Sequence, residues 1–201
     1  MTNRSDVALS AETRRTRILE GALKVFLAYG YVRSTMDDIA RAARLSRPAL
    51  YLVFKNKADI YRAIASCLLT RSVARAREAL SGEGAFAERV MAALDVALFQ
   101  TMAMIHESPH GEEILDMRNS LAADLIENWR TELGGALEEA IAEEARRRRT
   151  DLAGRGLTAR GLADLLLDGL DGMKARGACI DKTMKGANQL VTVVDLALKP
   201  D

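Results

Sequence analysis

The chain has two histidines, and both fall in one five-residue stretch, His106-Glu107-Ser108-Pro109-His110. The spacing spells H-E-x-x-H. On an unbroken helix, two imidazoles one turn apart could hold zinc with the glutamate as general base. Pro109 argues against that geometry. The residue before a proline is pushed out of helical conformation, and the ring clashes with the preceding turn. The helix is therefore expected to end near Glu107, and no further ligand motif follows downstream. We expect no catalytic residue, no metal and no cofactor. A metal-dependent hydrolase built on His106 and His110 is the alternative reading. A helix break at this point could instead line or gate a pocket.

A second group of chemistry-bearing residues lies between Ser34 and Lys57. Thr35 can cap a short helix, with Asp38 three residues on as its capping-box partner. Met36, Ile39, Ala40 and Ala43 then form one apolar face. Arg44-Leu45-Ser46 breaks the pattern. Ser46 can cap a second helix with Pro48 in its first turn, where a missing N–H costs nothing. Leu50, Val53 and Phe54 give that helix a buried face, leaving Arg47, Ala49, Tyr51 and Leu52 towards solvent or a ligand. Asn56 with Asp59 opens a third helix. Two short helices joined by a tight turn, with arginine and tyrosine outward, describe a helix-turn-helix whose second helix enters the DNA major groove. An ordinary helical hairpin with surface arginines would show the same local pattern.

The wider stretch from Thr13 to Ile64 resembles the N-terminal DNA-binding domain of TetR-family transcriptional regulators. The matching pieces are Arg17-Ile18-Leu19-Glu20-Gly21-Ala22, Phe26-Leu27-Ala28-Tyr29-Gly30-Tyr31 and Ser34 to Ala40. Ala43-Arg44-Leu45-Ser46 and Ala49 to Lys57 complete the set. Many spaced positions agree at once, which makes the match specific, although it covers about a quarter of the chain. The resemblance implies an all-α, TetR-like fold of about nine helices. A helix-turn-helix domain would span residues 1–60, and an effector-binding and dimerisation bundle residues 61–201. It also implies a homodimer through the two C-terminal helices, a double-stranded DNA operator and a small-molecule effector.

Chemistry assigns roles within the reader, and the resemblance points to the same positions. Arg47 can give two hydrogen bonds to guanine O6 and N7, or else contact a phosphate or stay solvated. Pro48 and Ala49 suit thymine methyl groups. Tyr51, Lys55 and Lys57 can reach phosphates, as can Thr35 and Ser46 through hydroxyls and helix-start N–H groups. Asp37 could accept from cytosine N4, but a favourable interaction with the helix dipole is the preferred reading. Where many relatives carry a histidine or aromatic after the tyrosine, this chain has Leu52 and Val53, so contacts there should be more apolar.

Composition fits this picture. The chain of 201 residues is 49% hydrophobic and 28% charged, enough to bury a core. Its formal charge is +1, but residues 1–62 hold 12 basic and 6 acidic side chains, and residues 63–201 hold 17 and 22. A basic head ahead of an acidic remainder suits DNA binding by the head. Cys67 and Cys179 read as buried free thiols. No signal-like N-terminus or membrane span is evident, so a cytoplasmic location is expected. Residues 1–10 read as a loose polar arm. Helices are expected at Ala11–Tyr29 with Gly30 as its left-handed cap, Lys57–Leu80, Ala85–Glu107, Ile114–Met117, Leu121–Arg147, Thr158–Arg176 and Thr183–Leu198.

A bundle can hold a ligand between its helices. Phe99, Met102, His106, Met117, Trp129 and Met173 are the candidate walls, each equally at home in plain core. His106 and Trp129 stand out because each brings a polar N–H to an apolar setting. The run Arg146–Arg149 follows Glu138, Glu139, Glu143 and Glu144. It reads as a solvated helix end rather than a second nucleic-acid patch.

Overall fold

The computed structural model describes the backbone of residues 4–177 and 179–200, and their side chains except at 4–10, 115 and 117–119. Among the described residues there are helices and no strand. The helices are α1 (Arg4–Tyr29), α2 (Met36–Ala42), α3 (Arg47–Tyr51), α4 (Lys57–Leu80), α5 (Phe86–Leu94), α6 (Gln100–His106), α7 (Gly111–Leu121), α8 (Ala123–Arg148), α9 (Ala159–Ala175) and α10 (Ile180–Ala197). A π-helical turn, Asp95–Phe99, joins α5 to α6 without a break, so the two run on as one rod.

The element types match expectation, and the differences are at ends. α1 begins at Arg4 rather than after Ser10. The run Val7-Ala8-Leu9-Ser10-Ala11-Glu12 contains no glycine or proline, so nothing stops the helix from extending. α7 grows from the expected four residues to Gly111–Leu121. Cys67 and Cys179 are exposed rather than buried. Apolar neighbours in sequence placed both on helical patterns, but the thiols lie off the packed stripe.

The chain forms two compact units. The first takes the chain up to Leu68 together with Met104–Leu125. The contiguous head expected at residues 1–60 is thus one part of a unit that recruits a second, distant stretch. Its core joins Ile18, Ala22 and Phe26 of α1, Ile39, Leu50 and Phe54 of the reader, Ile60 and Ile64 of α4, and Ile105, Ile114 and Ala122. Phe26, Tyr31 and Tyr61 form an aromatic cluster with ring centroids 5.4–6.2 Å apart. α1 crosses α2 at Gly21, where a Cβ would lie 2.9 Å from the Ala43 backbone nitrogen. Only the absence of a side chain permits that approach.

The second unit comprises Leu69–Ala103 and the chain from Ile126 onward. Leu94, Phe99, Leu133, Leu137, Ile141, Leu166, Leu170 and Val194 are fully enclosed in its core. α9 and α10 interlock through small residues: Leu190 packs onto Gly169, and the Met173 thioether packs onto Gly186. One end is tied by Glu144, a carboxylate only 1% exposed that receives Arg89, Arg147 and Arg148. Burial pushes its pKa up, but the hydrogen bonds and charges of Arg147 and Arg148 outweigh that and hold it below the usual range. Arg148 also reaches Asp195. Two of the four clustered arginines are therefore paired with carboxylates; Arg147 is exposed, whereas Glu144 is buried and Arg148 half-buried rather than solvated.

Candidate nucleic-acid interface

Each turn of the reader is closed by its own neighbours. Thr35 Oγ1 accepts from the Asp38 N–H at 3.2 Å, and Asp38 Oδ2 accepts from the Thr35 N–H at 3.0 Å and from its hydroxyl at 2.6 Å. The hydrogen bonds from Thr35 are the main reason the Asp38 carboxyl lies below its ordinary value. The Thr35 hydroxyl proton is engaged, so a phosphate there would meet the first-turn N–H groups of Met36 and Asp37.

α2 ends in a 6→1 and 5→2 pair of hydrogen bonds, Leu45 N–H to Ala40 O and Arg44 N–H to Arg41 O. The residue in the left-handed position, usually glycine, is Arg44, at φ +55°. Ser46 then caps α3 by accepting from the Ala49 N–H at 3.3 Å. Its hydroxyl can still donate.

α3 buries Leu50 completely and is followed by the buried Phe54. The opposite face is open: Arg47, Pro48, Tyr51 and Leu52 are exposed, and Ala49 is half-buried. The Arg47 guanidinium lies 3.3 Å from the Asp37 carboxylate and 5.6 Å from the centroid of the Tyr51 ring. Both raise its pKa, Tyr51 by a hydrogen bond and Asp37 by its charge. Asp37 thus serves as an ion-pair partner as well as a first-turn acid on α2. Lys55 is exposed.

Lys57 departs from the expected phosphate contact. Its Nζ donates to the backbone carbonyls of Tyr31, Val32 and Ser34 and sits 4.4 Å from the Tyr31 ring centroid. An ammonium has three protons, and all three are engaged. Burial lowers its pKa, with Glu113 acting in the opposite direction. Lys57 fastens the loop after α1 to the start of α4.

Sequence reasoning missed the braces from α1. Arg15 lies 4.8 Å from the Phe54 ring centroid, and Arg17 donates to Ala43 O at 3.2 Å. They hold α3 and the end of α2 against α1 from residues 26 and more positions away. No local pattern in the sequence signals that pairing.

The histidines do not converge on a metal site. α6 ends at His106, which is exposed. The His110 ring instead lies 3.1 Å from the Arg33 guanidinium. No group of three metal-ligating side chains occurs among the described residues. The break at Pro109 accounts for this: residues 107–110 form a turn in which Gly111 N–H reaches Ser108 O.

The candidate effector walls are drawn from both units. His106 belongs to the first unit, whereas Phe99, Met102, Trp129 and Met173 belong to the second. Phe99 is core, Met102 is half-buried and Met173 fills the space over Gly186. The polar N–H of Trp129 donates to the buried Ser72 hydroxyl at 2.9 Å. The Met117 side chain lies outside the described residues. An open groove of about 700 Å³ between α1 and α2 is lined by Val25, Ala28, Tyr29, Arg33, Asp38, Arg41 and Ala42, and by none of these six.

Residues 18–64 match the family model of bacterial regulatory proteins, tetR family. The match spans the reader and the helices that brace it. The head, residues 18–64, is therefore similar in sequence to the DNA-binding domain of TetR-family regulators. Among curated relatives, the chain is 37% identical over 81 residues to the uncharacterized HTH-type transcriptional regulator YhgD of Bacillus subtilis (strain 168), covering 40% of this chain and 42% of that protein. The alignment thus spans less than half of that relative. Solved structures extend the likeness in fold. The fatty acid degradation regulator FadR from Bacillus halodurans superposes with a TM-score of 0.63 at 20% identity, over 89% of this chain and 94% of that one. SmeT, the repressor of the Stenotrophomonas maltophilia multidrug efflux pump SmeDEF, gives 0.61 at 18% identity, over 91% and 89%. A SmeT–triclosan complex gives 0.56 at 17% identity, over 92% and 90%. The TetR-family fold therefore extends over most of the chain, while sequence kinship is concentrated in the head.

Proposed function

We propose that this chain is a ligand-responsive transcriptional repressor that binds a pseudo-palindromic operator as a homodimer. The observation that carries this reading is the outward face of α3. Arg47 and Tyr51 are exposed there, on a helix anchored from behind by Leu50 and Phe54. Such a helix fits the major groove, with Arg47 giving two hydrogen bonds to a guanine. Thr35, Asp37, Ser46, Pro48, Ala49, Leu52 and Lys55 surround it as the remaining interface, and Lys57 acts from within as a fastener. The basic balance of residues 1–62 supports approach to DNA.

Dimerisation through α9 and α10 is supported by Leu165, Met184, Val193 and Leu196, all exposed on those helices. A twofold dimer would set two readers about 34–36 Å apart, one DNA turn. SmeT in complex with triclosan supports a small-molecule effector, which the proposal assigns to the second unit. The effector would favour a conformer with the wrong head spacing, a coupling of about 1–3 kcal/mol. No helix among the described residues is long and apolar enough to cross a membrane. A function on DNA would put the protein in the cytoplasm, as the sequence leads us to expect.

The test is a titration of the protein against the DNA flanking its own reading frame at fixed salt. A specific, salt-sensitive complex is expected, and Arg47→Ala should weaken it by about 1–3 kcal/mol and relax one base position. Binding no tighter than to random duplex would overturn the proposal.

A further inference from the structure

Leu52 is the most exposed large hydrophobic side chain among the described residues, at 82%. Its backbone remains helical, at φ −69° and ψ −21°, and its N–H donates to Pro48 O at 3.1 Å. Leu52 therefore stands one turn beyond Pro48 on the same face, opposite the buried Leu50. The outermost ridge of the reader is thus a proline and a leucine. The hydrogen-bonding side chains, Arg47 and Tyr51, flank that ridge on one side.

A leucine held in water at this position has no internal packing role. It has no proton to give a phosphate and no acceptor for a base edge. In the major groove the four ordinary base pairs present one apolar group, the C5 methyl of thymine. Lys55 is exposed three residues beyond Leu52, and Arg47 lies five residues before it, so the ridge sits among cations suited to a nucleic acid.

We propose that Leu52, together with Pro48, reads thymine methyl groups, so that each half-site pairs a guanine under Arg47 with thymines beside it. This inference rests on the DNA-reading function proposed above. It adds a sequence preference and assigns it to a side chain that carries no hydrogen-bonding group.

The experiment starts by enriching tight-binding duplexes from a random pool at one salt concentration. The preferred site is then resynthesised with deoxyuridine replacing thymidine at one position at a time, which removes a single methyl group. Affinity is measured for the wild-type chain and for Leu52→Ala, whose fold is checked by circular dichroism. At one or two positions per half-site, deoxyuridine should weaken wild-type binding about fourfold, the worth of one buried carbon. Leu52→Ala should bind the thymidine and deoxyuridine versions alike at the position Leu52 reads. If no sequence is enriched, the DNA-reading function falls and this inference falls with it. If a site is enriched but tolerates deoxyuridine everywhere, methyl reading is overturned and DNA reading stands. If the penalty persists unchanged in Leu52→Ala, the assignment to Leu52 is overturned.

Discussion

Residues 34–57 and residues 104–125 belong to the same compact unit and both have remote anchors in it, yet the turns of the first are also set by local caps. In the first stretch the caps are local. Thr35 bonds Asp38, Ser46 bonds Ala49 and Asn56 bonds Asp59, each three residues apart. In the second stretch the anchors are remote. Tyr61 donates to Ile114 O at 2.8 Å, Arg62 grips Leu121 O and both oxygens of Asp124, and Ser108 reaches Leu27 O. Glu113 accepts from the Val32 N–H, and Arg33 meets His110. The reader carries its own instructions for local shape, whereas the later stretch acquires its place from partners 53 to 81 residues away. For a module proposed to present a fixed face to DNA, local capping is an advantage, because each cap closes within one turn of the chain.

The largest expected disruption of this contrast comes from Gly21→Ala. The added Cβ would press on the Ala43 backbone, which cannot retreat as a flexible side chain would. We expect a loss of about 1–3 kcal/mol in urea unfolding of the first unit, with weakened DNA binding. An unchanged midpoint would show that local capping, not the α1–α2 crossing, sets the reader's stability.

Next comes a comparison of two lysines. Lys57→Met should cost roughly 2 kcal/mol of stability by removing a charged donor from three carbonyls. It should leave the salt dependence of DNA binding unaltered in the fraction that remains folded. Lys55→Ala should do the reverse, keeping stability and lowering the salt slope by about one. A shared phenotype would remove the distinction between fastener and DNA contact.

Acid sharpens the picture for the remote anchors. The Asp124 carboxyl lies at about 2, chiefly through the hydrogen bond from Arg62. A folded value below the ordinary 3.8 means the contribution is fully present above about pH 4 and is lost as pH falls through 2. Denaturation between pH 5 and 2 should show the wild type losing an increment that Asp124→Asn lacks throughout. Parallel curves for the two proteins would count against the anchor.

The smallest effect is a gain. Arg44→Gly relieves a left-handed arginine and should stabilise the turn by up to about 1 kcal/mol. A loss instead would mean that the Arg44 side chain contributes more than its backbone strain costs.

Much of the local geometry of residues 34–57 is legible in the sequence because its signals are short in range. Thr35, Ser46, Asn56 and Gly30 each act within one helical turn, and a buried Leu50 implies exposed Pro48 and Leu52 by helical geometry alone. The inward role of Lys57 is not legible, because a lysine near a helix start looks the same whether its carbonyl partners lie 23 to 26 residues away or a phosphate waits outside. The proposed pocket residues suffered the same ambiguity. Met173 and Trp129 look alike as ligand wall or core until Gly186 and Ser72 appear beside them.

The amino-acid order by itself determined the all-helical class, the caps at Thr35, Ser46 and Asn56, the break at Pro109 and the outward face of α3, since each follows from contacts along a few consecutive residues. Tertiary structure alone decided that Lys57 faces inward, that His110 meets Arg33, and that residues 104–125 join the reader's unit. Those outcomes depend on which distant groups come within hydrogen-bonding reach, a property that side-chain spacing along the chain does not carry.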